Sequence, residues 1–241
     1  MRFAIVPALG VLAALLALLP YQPALAVGAI TVDTTSDANV SDSELSIREA
    51  ILLANGGMGA SGLNRALSVD EADNVSGTAG AASVDTITFS DPPFPAGTPG
   101  VITINAVLPS LLGGNDIVDG TGRGVILDGA GEPSAFNCLN VESNNNVVKG
   151  LRITDCSIGI LVLASGTTIG PEMNIYDTNI GLGLSGNSLT VRGNRIGTTS
   201  DGSAIHPDGG NNDGIQISGD NSTIGGVLAA DRNIISGHNA G

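Results

Sequence analysis

The chain has 241 residues and a formal net charge of −14, with 9 lysines and arginines against 23 aspartates and glutamates. Nucleic acids and anionic membrane surfaces bind clusters of basic residues, so this charge argues against both as partners. Aromatic residues make up only 2% of the chain, which argues against the stacking platforms of a high-affinity lectin.

Residues 1–26 have the pattern of a secretory signal peptide. Arg2 precedes an apolar run over residues 11–19, and residues 24–26 have the small-x-small form of a cleavage site. A retained N-terminal anchor is the alternative, but the apolar run is short for a membrane span. The sequence therefore predicts a secreted protein, extracellular or on the outer cell surface, whose mature chain does not insert into a membrane.

Residues 27–56 are predicted to form an N-terminal strand and a short capping helix. The strand covers residues 29–32, and Ser46 with Glu49 has the spacing of a capping box at the start of the helix. Arg48 is expected on the outward face, and the capping role accounts for Glu49 without a catalytic one. The apolar residues of the helix form one stripe that is expected to cover the open end of a repeat stack: Ile47, Ala50, Ile51 and Ala54.

Residues 57–84 do not follow a strand pattern. They are rich in Gly, Ala, Ser and Asp, which predicts an inserted flexible surface loop with a candidate helical turn near residues 63–69. From residue 85 to residue 241 short apolar runs return, and this part of the chain is expected to form coils.

One apolar phrase returns four times in the C-terminal half. The steps between equivalent residues are 21, 22 and 33, which indicates a repeat of about 20 to 25 residues with one insertion. Apolar residues within a phrase stand at i and i+2, so each phrase is expected to be a strand with one face inward. Three columns of equivalent apolar residues result: Leu139, Ile160, Leu182 and Ile215; Val148, Ile169, Val191 and Ile224; and Ile153, Ile175, Ile196 and Ile235.

These columns predict an all-β fold, a right-handed parallel β-helix closed at one end by the capping helix. A leucine-rich repeat has a similar period, but its leucine framework and helical segment are absent here, and Gly and Asn mark the corners. Residues 239–241 fall where a new coil would begin. The chain is therefore expected to be C-terminally incomplete, and to continue in a longer protein or to be covered by another chain.

Residues 45–50 read Leu-Ser-Ile-Arg-Glu-Ala and resemble the CSLREA-type N-terminal region of secreted bacterial β-helix proteins of the pectin-lyase-like superfamily. The chain departs from that pattern at Leu45, where the family has Cys, and at Ile47, where it has Leu. Residues 85–89, 125–129 and 196–202 are similar to coils of the same family. The resemblance implies a bacterial, secreted β-helix, and many proteins of this kind have no assigned reaction.

The two cysteines, Cys138 and Cys156, can pair in an oxidising compartment. Cys138 lies in a strand column, whereas Cys156 precedes its own strand phrase by three residues, so the two are offset along the coil. Two free, buried thiols are therefore favoured over a disulfide.

Two stacked aspartates give the most specific hypothesis for a chemical site in the repeat. Asp155 and Asp177 each follow a column isoleucine by two residues, which predicts carboxylates about 5 Å apart on successive coils. Such a pair can bind calcium or act as an acid and a base. Aspartate is also common at turns, where it bonds the local backbone, and the next equivalent residue is Thr198.

The insertion after Ile196 contains a second polar group. His206 can act as a general base if a carboxylate such as Asp208 orients it, although a plain turn explains the same residues. Arg152 and Arg195 precede inward isoleucines and are expected to face outward, two coils and about 10 Å apart.

The sequence favours a secreted or cell-surface β-helix scaffold that is not an enzyme and that serves extracellular interaction or adhesion. Its expected partners are an extracellular glycan or a cell-surface component. The alternative is a polysaccharide lyase, hydrolase or epimerase acting on acidic glycans, with Asp155, Asp177, His206 and Asp208 as candidate catalytic residues. Calcium is the candidate cofactor, with Asp155 and Asp177 as its candidate ligands.

Overall fold

The computed structural model describes residues 26–81, 83–129 and 136–238 and arranges them as short strands in three sheets. Eight strands form sheet A: Ala26–Val32 (β1), Val75–Gly77 (β2), Ser83–Phe89 (β3), Ile117–Asp119 (β5), Val147–Lys149 (β8), Thr168–Ile169 (β11), Thr190–Val191 (β14) and Thr223–Ile224 (β17). Six strands form sheet B: Gly100–Thr103 (β4), Val125–Asp128 (β6), Arg152–Thr154 (β9), Asn174–Ile175 (β12), Arg195–Ile196 (β15) and Ile234–Ile235 (β18). Four form sheet C: Leu139–Val141 (β7), Ile158–Val162 (β10), Ile180–Leu184 (β13) and Asp213–Ile217 (β16).

From β7 onward the chain visits the three sheets in a constant order. Each strand of sheet C is followed by one of sheet A and then one of sheet B, and we call one such pass through the three sheets a coil. Successive strands of each sheet pair in parallel, as Ile160 does with Leu139 of β7 and Leu182 of β13. The predicted all-β architecture of parallel strands is confirmed.

The three predicted apolar columns lie in register across their sheets. In the middle coils their members are at most 1% exposed, and burying a side chain of this size stabilises the fold by about 1.5 to 3 kcal/mol. In the last described coil Ile224 and Ile235 are 39% and 41% exposed. The reason is that β17 and β18 are edge strands within the described residues.

The capping helix, α1 (Ile47–Gly56), forms as predicted. The Ser46 hydroxyl accepts the Glu49 amide at 3.2 Å, and the Glu49 carboxylate accepts the Ser46 amide at 2.9 Å. The four residues of the predicted apolar stripe are all buried, and α1 packs on β1 and β3. Helix capping is therefore a role of Glu49.

Arg48 forms an ion pair and hydrogen bonds that its predicted outward position did not indicate. Its guanidinium pairs with Asp37 at 2.8 Å and donates hydrogen bonds to the carbonyls of Ala106 and Val107. These contacts tie α1 to the segment after β4, so Arg48 holds the cap against the coils.

Arg65 forms a second set of ion pairs at this end of the molecule. It contacts the buried carboxylates of Glu49 and Glu71, each at 2.6 Å. The hydrogen bond from Arg65 is the main reason why the pKa of Glu71 is lowered. Glu49 therefore serves both the helix start and this buried charge network.

The predicted loop over residues 57–84 is only partly a loop. It contains the short helix α2 (Val69–Asp73) and strand β2, and β3 already begins at Ser83. The helix starts where the candidate turn near residues 63–69 was predicted to end. Strand β2 forms because the outer edge of β1 offers unpaired backbone groups, with which it pairs antiparallel.

The prediction of two free thiols is wrong. Cys138 and Cys156 form a disulfide, with their Cα atoms 5.7 Å apart. The Cys138 amide donates to the Ile158 carbonyl at 3.0 Å, so Cys138 lies directly under the turn that carries Cys156 on the next coil. The turn bends Cys156 back over the coil below. This removes the offset between the two cysteines that their positions in the repeat indicated.

Two predictions fall outside the described residues: the signal peptide, almost all of which lies in residues 1–25, and the start of a new coil at residues 239–241. Among the helices that the structure describes, none has the length and apolar character needed to cross a bilayer.

Candidate functional site

The two stacked aspartates occupy successive turns between sheet B and sheet C. Asp155 follows β9 and Asp177 follows β12, and both have left-handed backbone angles, with φ of 57° and 49°. The Asp155 amide donates to the Asp177 carbonyl at 2.9 Å. The two residues are therefore neighbours on adjacent coils, as the repeat predicts.

Thr198 does not continue this row, contrary to the prediction. The Asp177 amide donates to the carbonyl of Gly209 at 3.1 Å, and Thr198 forms an antiparallel bridge with Ile205. The cause is the insertion, which leaves the coil after β15 and rejoins the row eleven residues later than the repeat would place it.

The insertion folds back over the outer face of sheet B. Its His206 ring stacks on the ring of Tyr176, with centroids 3.4 Å apart and planes 14° from parallel. The Asp208 amide donates to His206 Nδ1 at 3.3 Å, and the Asp208 carboxylate lies 3.6 Å from the same nitrogen. His206 and Asp208 are thus brought to the row that holds Asp155 and Asp177, and we call these four residues the aspartate–histidine cluster.

Tyr176 is the residue of this site that the sequence interpretation missed. It is 5% exposed and lies under the His206 ring. A signal was present, because Tyr176 follows the inward Ile175 by one residue and so belongs to the outer face of sheet B. It is also one of only two tyrosines in the chain.

Burial and crowding of like charges perturb the cluster. Burial is the main cause of the raised pKa of Asp155, with Asp128 and Asp208 adding to it. The pKa of Asp177 is raised by burial and then by Asp155. Burial lowers the pKa of His206, although the nearby Asp208 opposes this. The cluster therefore holds carboxyl groups that protonate more readily than usual and an imidazole that stays neutral more readily than usual.

The cluster is suited to hydrogen bonding and proton transfer. Within the described residues no group of three or more His, Cys, Asp or Glu side chains is placed to hold a metal ion. Calcium binding at Asp155 and Asp177 thus gains no support from this geometry. A neutral imidazole and carboxylates are, however, good partners for hydroxyl groups.

A groove lies beside the cluster on the outer face of sheet B. It has a volume of about 290 Å³ and is lined by charged and polar side chains that include Arg123, Arg152, Glu172, Asn174 and Arg195. We call it the arginine groove. Arg152, Asn174 and Arg195 are in register on three neighbouring strands, which confirms that the two arginines stand two coils apart.

Arg152 connects the groove with the cluster. It lines the groove, and its positive charge also contributes to lowering the pKa of His206. Arg152 is thus close enough to the cluster for its charge to act on His206. Another aspartate of the insertion, Asp201, has a separate role, because it accepts hydrogen bonds from Thr199 and Ser203 within its own turn.

Comparison with known proteins does not extend these observations. The sequence matches no protein-family model and no curated protein.

Proposed function

We propose that the three sheets are the faces of a right-handed parallel β-helix. The constant order of sheets C, A and B over four successive coils supports this arrangement. So does the rule that connections between parallel strands of one sheet are almost always right-handed. A fold of this kind offers long, flat outer faces on a rigid support, which suits the binding of an extended polymer.

On that scaffold, the function that the site favours is binding of an extracellular glycan by a secreted protein, without cleavage. One observation carries this proposal: the insertion brings His206 and Asp208 onto the outer face of sheet B, beside Asp155 and Asp177 and next to an open groove. Carboxylate oxygens accept strong hydrogen bonds from hydroxyl groups, which cover the surface of a glycan. Secretion rests on the signal-peptide pattern of residues 1–26.

The role of the Asp177 carboxylate in glycan binding is tested by calorimetry with a panel of extracellular polysaccharides. The variant Asp177→Asn keeps the size of the side chain and its turn but loses the charge. We expect it to bind at least tenfold more weakly, because a hydrogen bond to a charged group contributes about 1.5 to 3 kcal/mol. Asp220→Asn is the matched control, since Asp220 is exposed and lies outside the cluster. Equal affinities of the two variants, or no binding by the wild type, would contradict the proposal.

A second candidate is acid–base catalysis on a glycan, as in a lyase, hydrolase or epimerase. The observation in its favour is the combination of raised pKa values at Asp155 and Asp177 with a lowered pKa at His206. A carboxyl group with a raised pKa is a better proton donor near neutral pH, and an imidazole with a lowered pKa stays neutral and can accept a proton.

Product analysis separates the two candidates. The same polysaccharides are incubated with the wild-type protein and analysed for new reducing ends, unsaturated products and epimerised sugars. Products that disappear in Asp155→Asn or His206→Gln would establish catalysis. Binding without any product supports the scaffold.

A further inference from the structure

We propose that the arginine groove binds anionic groups of a glycan, either carboxylates or sulfates, through Arg152 and Arg195. This inference rests on the proposed function and specifies the chemical class of its ligand. It places the anionic substituents on the groove and the sugar hydroxyls on the aspartate–histidine cluster.

The guanidinium groups of Arg152 and Arg195 are unpaired in the part of the chain that the structure describes. The structure describes eight basic residues, and five of them form ion pairs: Arg48, Arg65, Arg123, Lys149 and Arg192. Among the described residues, Arg152, Arg195 and Arg232 have neither an ion pair nor a side-chain hydrogen bond, although carboxylates outnumber basic residues in the chain. Arg152 and Arg195 line the groove, whereas Arg232 does not.

Arg195 also has a hydrogen-bond donor that the described residues leave unsatisfied. Its Nε atom is buried and has no hydrogen-bond partner in the described structure. The charge of Arg195 is therefore not compensated by the described part of the protein, and an anionic oxygen that reaches its guanidinium from the groove is the strongest partner for such a group. The planar guanidinium also matches the two oxygens of a carboxylate or sulfate group.

The two arginines stand at a regular spacing on sheet B. Arg152 and Arg195 lie on either side of Asn174 in one register of sheet B, two strand spacings or about 10 Å apart. Rigid strands keep this distance constant, so the groove favours a polymer with anionic groups at regular intervals. Asn174 lies between them. Its side-chain amide donates to the Thr198 carbonyl at 2.8 Å, which holds the insertion next to the groove.

The rest of the groove limits the charge of the ligand. Arg123 contributes to the lining but already pairs with Asp91 at 3.2 Å, and Glu172 adds a negative charge at the rim. Two guanidinium groups therefore remain for the ligand. A local positive surface on a chain of net charge −14 also confers selectivity, because a polyanion is repelled elsewhere.

The test compares dissociation constants for three probes: polygalacturonate, dextran sulfate and neutral dextran, each at low and at high salt. We expect tighter binding of at least one anionic polymer than of neutral dextran. Arg152→Gln and Arg195→Gln should each weaken this binding about tenfold, and the double variant more strongly. Arg195→Lys keeps the charge but loses the planar fork, so an intermediate loss is expected. The matched control is Arg192→Gln, which removes the same charge from an arginine that pairs with Asp231 outside the groove.

The relative affinities for polygalacturonate and dextran sulfate identify whether carboxylates or sulfates are the preferred groups. Equal losses in Arg152→Gln and Arg192→Gln would mean attraction by overall charge and would overturn the inference. Binding of neutral dextran that depends on Asp177, with no preference for either anionic polymer, would also overturn it and leave the proposed function intact. Failure of the wild type to bind any polysaccharide of the panel would overturn both. Far-ultraviolet circular dichroism confirms that each variant is folded.

Discussion

A buried acid in the first coils gives the stability of this protein a specific dependence on pH. Asp116 is 0% exposed and stands between Asp85 and Asn146 in a buried polar row along sheet A. Its Oδ1 accepts the Asp85 amide at 3.2 Å, its own amide donates to the Asn146 side chain at 2.9 Å, and its Oδ2 has no partner in the described structure. Burial is the main cause that raises the pKa of Asp116 to about 7.

The raised pKa of Asp116 sets the direction and the size of the change in stability with pH. The folded protein favours the protonated acid, so its contribution to stability is complete below the ordinary pKa of 3.8 and is lost as the pH rises through about 7. The difference between these two values corresponds to about 4 kcal/mol in the free energy of unfolding. Asp116→Asn provides a neutral side chain of the same shape, and Asn146 shows that an amide fits the adjacent position of the row. We therefore expect the variant to become more stable than the wild type by up to about 4 kcal/mol between pH 4 and pH 8.

Urea unfolding at several pH values measures this difference. Circular dichroism is the suitable signal, because the chain contains no tryptophan. Asp119→Asn is the control with the opposite sign. Burial opposes the shift there, but hydrogen bonds from Lys149 and Thr121 lower the pKa of Asp119. The cost of its removal is therefore complete above the ordinary pKa of 3.8, constant from pH 4 to pH 8, and smaller only at lower pH. A constant difference in the free energy of unfolding between Asp116→Asn and the wild type from pH 4 to pH 8 would show that the pKa of Asp116 is not raised.

Two further predictions concern the covalent and ionic links of the fold. Replacing Cys138 and Cys156 by alanine opens a link across 18 residues and should lower the free energy of unfolding by about 3 kcal/mol, as should a reductant on the wild type. A reductant must then have no effect on the double variant, which urea unfolding checks. Replacing Arg65 by methionine leaves two buried carboxylates without their cation and should cost about 3 kcal/mol. Arg123→Met breaks a largely exposed pair and should change stability by less than about 1 kcal/mol, so equal losses in the two variants would contradict this account.

Much of the candidate site could be predicted, but only where it belongs to the repeat. Asp155 and Asp177 lie on neighbouring coils because their distance from a column isoleucine is the same in both coils. The outward position of Arg152 and Arg195 follows from strand alternation in the same way. The association of His206 with Tyr176 could not be predicted, because the insertion has no repeating pattern and its path depends on contacts with residues distant in sequence.

The disulfide and the charge network around Arg65 show the same limit. Cys138 and Cys156 occupy different positions of the repeat, and only the bend of the turn brings them together. Arg65 pairs with Glu49 and Glu71, which lie 16 and 6 residues away with no spacing that indicates contact. A regular sequence spacing predicts neighbours between equivalent residues, whereas these pairs join residues that are not equivalent.

The strands, their parallel register and the helix that caps the N-terminal end are encoded in the local pattern of the sequence. Each of these depends on burying apolar side chains at a regular spacing, and a shift by one residue would turn every inward side chain to solvent. The path of the insertion over sheet B, and the choice of arginines that have no carboxylate partner, depend on long-range contacts in the folded chain. Those outcomes depend on the competition of many polar contacts of similar strength, and that competition is settled by which groups the folded backbone brings within reach.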